Sequence, residues 1–228
     1  MTVSNDRFNY ISLTTTLIFC TPLVFAAHKP QHHHTPAHQE PPAINRPVPS
    51  FTNINIDGNS QLIVYVGKSQ HVSIHDNATA AKCILTDVNS DTLYIHQLSK
   101  KLCQSLPPIK LTINIPKLNT ISTQDNNSTI INNLNNKTFL TYSSGRSHLN
   151  VNGNSHSLNS ILSGESSVDA HNLKTDGALI TASGNSQMQL QAAGTLFVHA
   201  SGNAAITYSG KPSKLIKSLS GNSTLSHS

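Results

Sequence analysis

From residue 51 to 228, short runs of alternating apolar and polar residues are broken by Gly, Asn and Asp. Alternation with period two predicts β-strands with one buried face. The strand candidates of the first half are 51–56, 61–66, 71–75, 83–87, 92–96 and 109–115. The second half adds a repeat. The pattern Ser-Gly-x-Ser recurs around Gly145, Gly164, Gly184, Gly202 and Gly221, at successive gaps of 19, 20, 18 and 19. Stepping back 19 residues from Gly145 reaches Asn126, and Asn is the usual substitute for Gly in the left-handed backbone region.

Aligning the copies yields columns. Four places after each Gly or Asn126 stand Ile130, Leu149, Val168, Met188, Ile206 and Leu225, all apolar and so expected to point inward. Two places after stand Ser128, Ser147, Ser166, Ser186, Ala204 and Ser223, a second inward column whose hydroxyls are expected to pass hydrogen bonds along the stack. The intervening positions are mostly polar and are expected to form an exposed ladder.

A unit of 19 residues is too short for a propeller blade or a helix pair. It suits one coil of a parallel β-solenoid, in which equivalent positions stack about 4.8 Å apart. Mid-repeat turn signals, Asn152-Gly153, Asp176-Gly177, Ala193-Gly194 and Ser209-Gly210, bend each coil at least twice. Gly58, in Asp57-Gly58-Asn59-Ser60, echoes the motif. If residues 51–228 coiled throughout with this period they would make about nine coils.

Composition narrows the class. Charged residues are 11 % of the chain, aromatics 5 %, Trp is absent, and Glu40 and Glu165 are the two glutamates. That is poor material for solvated helices and good material for sheet and turn. Residues 1–26 read as a signal peptide: an apolar stretch from Ile11 to Phe25, shorter than a membrane span, ends in small residues. Bulky Phe19 ahead of Cys20 disfavours a lipoprotein signal. No transmembrane segment is expected in the mature chain. Residues 27–50 read as a His/Pro-rich flexible linker, with prolines at 30, 36, 41, 42, 47 and 49 and five histidines. Of these, His32, His33 and His34 are candidate metal ligands, although a polar spacer is the favoured reading. Export leaves Cys83 and Cys103, a pair suited to one disulfide, with two buried thiols as the alternative.

Three stretches of the domain resemble a bacterial family, the putative auto-transporter adhesin head domain (head GIN domain). They are Phe51-Thr-Asn-Ile54-Asn-Ile56-Asp-Gly58; Asp91-Thr-Leu93-Tyr94-Ile95 with Leu111-Thr-Ile113-Asn-Ile115-Pro116-Lys-Leu118; and Ile206-Thr-Tyr208-Ser-Gly210-Lys-Pro212 with Ser220-Gly221. The resemblance implies a right-handed parallel β-helix, export, and an adhesive or cell-envelope role. It brings no catalytic residues. Asn126 in place of Gly and Ala204 in place of Ser depart from the repeat. No strands of a membrane barrel are recognisable, so self-transport is not expected.

Residue chemistry argues against an enzyme. Glycoside cleavage needs two carboxyl groups across one bond, whereas Glu165 sits in a turn, Asp169 faces outward, and Asp176 is accounted for by an Asp-Gly turn. His148, His156, His171 and His199 fall on different coils or offsets. Phosphate loops, EF-hand loops and dinucleotide fingerprints are absent, so no cofactor is expected. The net charge of +5 is dispersed apart from Lys100-Lys101 and the trio Lys211, Lys214 and Lys217. With no interleaved aromatics or arginines these do not describe a nucleic-acid surface. The expectation is a non-enzymatic exported β-solenoid, an adhesin or envelope-binding module with a glycan or surface protein as partner. A periplasmic scaffold is the alternative, and a polysaccharide-active β-helix enzyme a weaker one.

Overall fold

The computed structural model describes residues 43–228, in which strands predominate. The signal peptide, most of the linker, and His32, His33 and His34 lie outside the described residues. The first part of the domain supplies β1 (Ile44–Asn45), β2 (Asn53–Ile56), β3 (Ser60–Val66), β4 (His71–Ile74), helix α1 (Ala78–Ala81), β5 (Ile84–Asn89), β6 (Thr92–Gln97), helix α2 (Lys101–Gln104) and β7 (Ile109–Ile115). The repeat region supplies β8 (Thr120–Thr123), β9 (Ser128–Ser143), β10 (His148–Leu162), β11 (Ser167–Ala170), β12 (Leu173–Ala182), β13 (Gln187–Gln191), β14 (Thr195–Ala200), β15 (Ala205–Ser209), β16 (Lys214–Leu219) and β17 (Thr224–His227).

In the repeat region every strand pairs in parallel with its equivalent one turn away. Thr120, Leu140, Asn159, Leu179, Phe197 and Ile216 stand in one register, which defines five turns of a β-solenoid. Two sides are continuous sheets. Face A contains β8, the ends of β9, β10 and β12, then β14 and β16. Face B contains the starts of β9 and β10, then β11, β13, β15 and β17. The middles of β9 and β10 and the start of β12 cross a third side, face C.

The turns between faces A and B explain the Gly spacing. Gly145, Gly164, Gly184, Gly202 and Gly221 all have φ between 65° and 73°. The first four carbonyls accept the amide one turn on: Gly145 from Glu165 at 2.8 Å, Gly164 from Asn185 at 2.8 Å, Gly184 from Asn203 at 2.8 Å and Gly202 from Asn222 at 2.7 Å. The residue after each Gly stacks too, with Asn203 Nδ2 donating to Asn185 Oδ1 (2.8 Å) and Asn222 Nδ2 to Asn203 Oδ1 (3.2 Å).

The first copy is one residue out of the expected register. Asp125, with φ 62°, holds the left-handed position; its carbonyl accepts Arg146 N at 2.7 Å and its carboxylate accepts Gly58 N at 3.1 Å. The inward residue four places on is therefore Thr129, in register with Leu149, while Ile130 is 38 % exposed. Leu149, Val168, Met188 and Ile206 are buried as one column, with half-buried Leu225 below them. The Ser column is buried at Ser147, Ser166 and Ser186, but its hydroxyls do not link to one another up the stack. Ser166 Oγ reaches Ser143 O (3.1 Å), and Ser147 Oγ accepts from Thr123 Oγ1 (3.3 Å). Each ties its turn to a residue of the preceding coil.

The first part of the domain does not stack in chain order. β2 lies between β6 and β8, and β3 between β7 and β9. Residues 51–66 thus form a layer inside the stack, and β6 and β7 form the layer beyond it. Antiparallel strands close that end: β5 on β6, β4 on β7, and β1 on β4. Cys83 and Cys103 are bonded within this cap, with Cα atoms 5.4 Å apart. The nine-coil count fails here, because residues 67–119 form one layer and a cap. The linker boundary moves as well: Ile44 pairs with Ile74, Arg46 N donates to Val72 O, and Ile44 and Val48 pack against the core. Apolar contact and strand pairing hold the end of a segment whose prolines predict a free spacer.

Candidate binding surface

A solenoid presents its outward columns as rows of side chains about 4.8 Å apart, so each face has a composition of its own. Face B is polar. His148, Ser167 and Gln187 form one outward row, and Asn150, Asp169, Gln189, Thr207 and Ser226 form the next. Asn150 Nδ2 donates to Asp169 Oδ2 at 3.2 Å, and Thr207 and Ser226 share a 3.1 Å hydrogen bond. This is the ladder the repeat predicts.

Face A differs. Its outward rows carry Leu140, Leu179, Phe197 and Ile216 in one register, interrupted by Asn159 between the first two, and Tyr142 and Ile161 in the neighbouring one, where Ile161 covers the strand that carries Asn159. Tyr142 is 41 %, Ile161 45 % and Leu179 41 % exposed. Together they form an apolar stripe across successive strands, flanked by Thr181 and His199. Large apolar side chains gathered on one flat face mark a contact surface more often than scattered ones do.

Face C carries a shallow groove of about 480 Å³, lined by residues including Asn135, Asn154, His156, Lys174, Asp176 and Gln191. His156 Nδ1 lies 2.7 Å from Asp176 Oδ2 at its rim. The three carboxylates weighed for catalysis are separated. Glu165 pairs with Arg146 in the turn at 3.2 Å, Asp169 contacts His171 and Asn150 on face B, and Asp176 holds His156 on face C. His148, His156, His171 and His199 are all exposed and spread over the three faces. Among the described residues, no three His, Cys, Asp or Glu side chains form a metal-holding group, and no helix is long and apolar enough to cross a membrane.

The family model of the putative auto-transporter adhesin, head GIN domain, matches residues 50–212. The chain belongs to this family. The matched residues of the head GIN domain take in β2 to β15, the disulfide and four of the five repeat glycines. Among solved structures, a putative adhesin from Bacteroides fragilis has a TM-score of 0.65 at 19 % identity, covering 82 % of this chain and 96 % of its own. At that identity the likeness shows a shared fold. A putative lipid binding protein from Parabacteroides distasonis (TM-score 0.47, 15 % identity, 84 % of this chain and 98 % of its own) is more distant. So is a putative adhesin from the same species (0.48, 12 %, 82 % and 96 %). The sequence matches none of the curated proteins.

The apolar stripe is the feature the repeat reading misses. Its signal is adjacent apolar pairs where alternation requires a polar partner: Phe139-Leu140, Ile161-Leu162, Leu179-Ile180, Phe197-Val198 and Leu215-Ile216. In the first four pairs one residue fills the core column and the other stands outside; in the last, Leu215 continues the column of Leu196 but both residues are exposed.

Proposed function

We propose that this head GIN domain is an exported, non-enzymatic, adhesin-like module that binds a surface protein through the apolar stripe of face A. The observation that carries the reading is the contrast between the faces: exposed Tyr142, Ile161 and Leu179 on face A, and a hydrogen-bonded polar ladder on face B. Rigid strands fix these side chains, so binding orders little and loses little entropy. The stripe is chiefly aliphatic, which suits the apolar core of a protein interface better than the polar edges of a sugar. The apolar stretch at 11–25 and the family's adhesin description support export.

The test uses fluorescently labelled protein on intact bacterial and mammalian cells. Saturable binding is expected, weakened at least about tenfold, or roughly 1.4 kcal/mol, in the variant Tyr142→Ser/Ile161→Ser/Leu179→Ser. Protease treatment of the target cells should abolish it. Equal binding by wild type and variant overturns the stripe as the contact surface. Loss on glycosidase treatment alone makes the partner a glycan. Protection of the native protein from protease until its own cell envelope is opened favours the scaffold.

A further inference from the structure

The domain's charge is unevenly placed along the stack. All ten acidic residues of the chain lie at or before Asp176, whereas residues 177–228 carry Lys211, Lys214 and Lys217 and no Asp, Glu or Arg. The three lysines surround the final layer. Lys211 follows Gly210 beside face C, Lys214 is in register with Thr195 on the outside of face A, and Lys217 occupies the inward column directly beneath buried Val198. All three are exposed. On the same strand as Lys214 and Lys217, Leu215 and Ile216 are each 39 % and Leu219 37 % exposed. Among the described residues, β16 and β17 each pair on one side only, with β14 and β15.

We propose that this end of the solenoid docks on an anionic phospholipid surface. Three kinds of occupant are conceivable, and the residues distinguish them. A second copy stacked end to end would enclose Lys217 in a joined core in line with Val198, an uncompensated buried charge. It would also bring the lysines of both copies together, the usual device against edge pairing. A soluble polyanion would neutralise the lysines but leave Leu215, Ile216 and Leu219 in water. An anionic bilayer satisfies both sets of groups, with phosphates at the level of the ammonium groups and the acyl boundary for the apolar side chains. The unpaired backbone edges of β16 and β17 still need water, so the end settles among headgroups and goes no deeper.

Co-sedimentation with vesicles tests this at low and at physiological salt, using phosphatidylcholine alone and phosphatidylcholine mixed with phosphatidylglycerol. Binding is expected to the mixed vesicles, to weaken with salt, and to fall on the order of 100-fold in Lys211→Gln/Lys214→Gln/Lys217→Gln, at about fivefold per lysine. Ile216→Ser should weaken it further while leaving the salt dependence in place. The lysines are exposed, so the triple variant should melt with the wild type. Equal binding by wild type and triple variant overturns the proposal. So does equal binding to dextran sulfate with Ile216→Ser unchanged, which assigns the end to acidic polysaccharide, or concentration-dependent dimerisation that the lysine variant abolishes. The Tyr142→Ser/Ile161→Ser/Leu179→Ser variant should bind these vesicles normally, so failure here and failure of the face A reading remain separate results.

Discussion

Two glycines with similar backbones but different surroundings separate the effect of conformation from that of stacking. Gly67 has φ 85° and open space where a Cβ would project; Gly184 has φ 73°, and its Cβ would meet Gly164 O at 2.8 Å and Gly164 N at 3.1 Å. Alanine in the left-handed region costs about 1 kcal/mol, and for Gly67→Ala that is the whole expected effect. At Gly184 the added methyl has nowhere to go. Gly164 O is held at 2.8 Å by Asn185 N, and Gly184 O by Asn203 N at 2.8 Å, so relief means stretching the ladder on both sides. Overpacking of this kind costs about 1–3 kcal/mol, giving a total of about 2–4 kcal/mol for Gly184→Ala. Urea unfolding followed by circular dichroism reads the difference. With a slope of about 2 kcal/mol/M, the midpoint should fall by about 0.5 M for Gly67→Ala and by about 1–2 M for Gly184→Ala. Equal shifts at unchanged slope would refute the claim that layer contact, beyond backbone conformation, requires glycine in this column.

The register of the first repeat is tested by a second pair. Thr129 is buried and its Oγ1 has no hydrogen-bond partner, so Thr129→Val should leave stability unchanged or raise it by about 1 kcal/mol, while Ile130→Ser on the exposed side should change it by under about 0.5 kcal/mol. A large loss in Ile130→Ser, read as a lowered unfolding midpoint, would restore the register counted from Asn126. The Cys83–Cys103 bond closes a loop of sequence separation 20 in the cap, and Cys83→Ala/Cys103→Ala should lower stability by about 3 kcal/mol. A reductant should mimic this in the wild type and do nothing to the variant; an unchanged wild-type midpoint under reduction would refute it.

The repeat region was legible because its periodic contacts are local in register. Each Gly meets the Gly one coil away, and Leu149, Val168, Met188 and Ile206 lie over one another, so a constraint on one layer writes itself into the next at nearly fixed spacing. The reading slipped where a residue was chosen by something outside that spacing. Asp125 takes the left-handed place because its carboxylate reaches Gly58 N, 67 residues earlier, and counting back from Gly145 contains no trace of that bond. The cap was illegible for the same reason. Placing β2 and β3 inside the stack depends on pairings of β2 with β8 and β3 with β9 across an excursion of some fifty residues, and strand alternation is identical whichever neighbours a strand finds. The stripe on face A was written in the sequence but under another rule: a doubled apolar pair reports a strand with apolar side chains on both of its faces, and a single inward column has no place for the second member. The surface proposed for binding therefore lay in the departures from the repeat, where the packing of the core gives no reason for Ile161, Leu179 or Phe197 to be apolar.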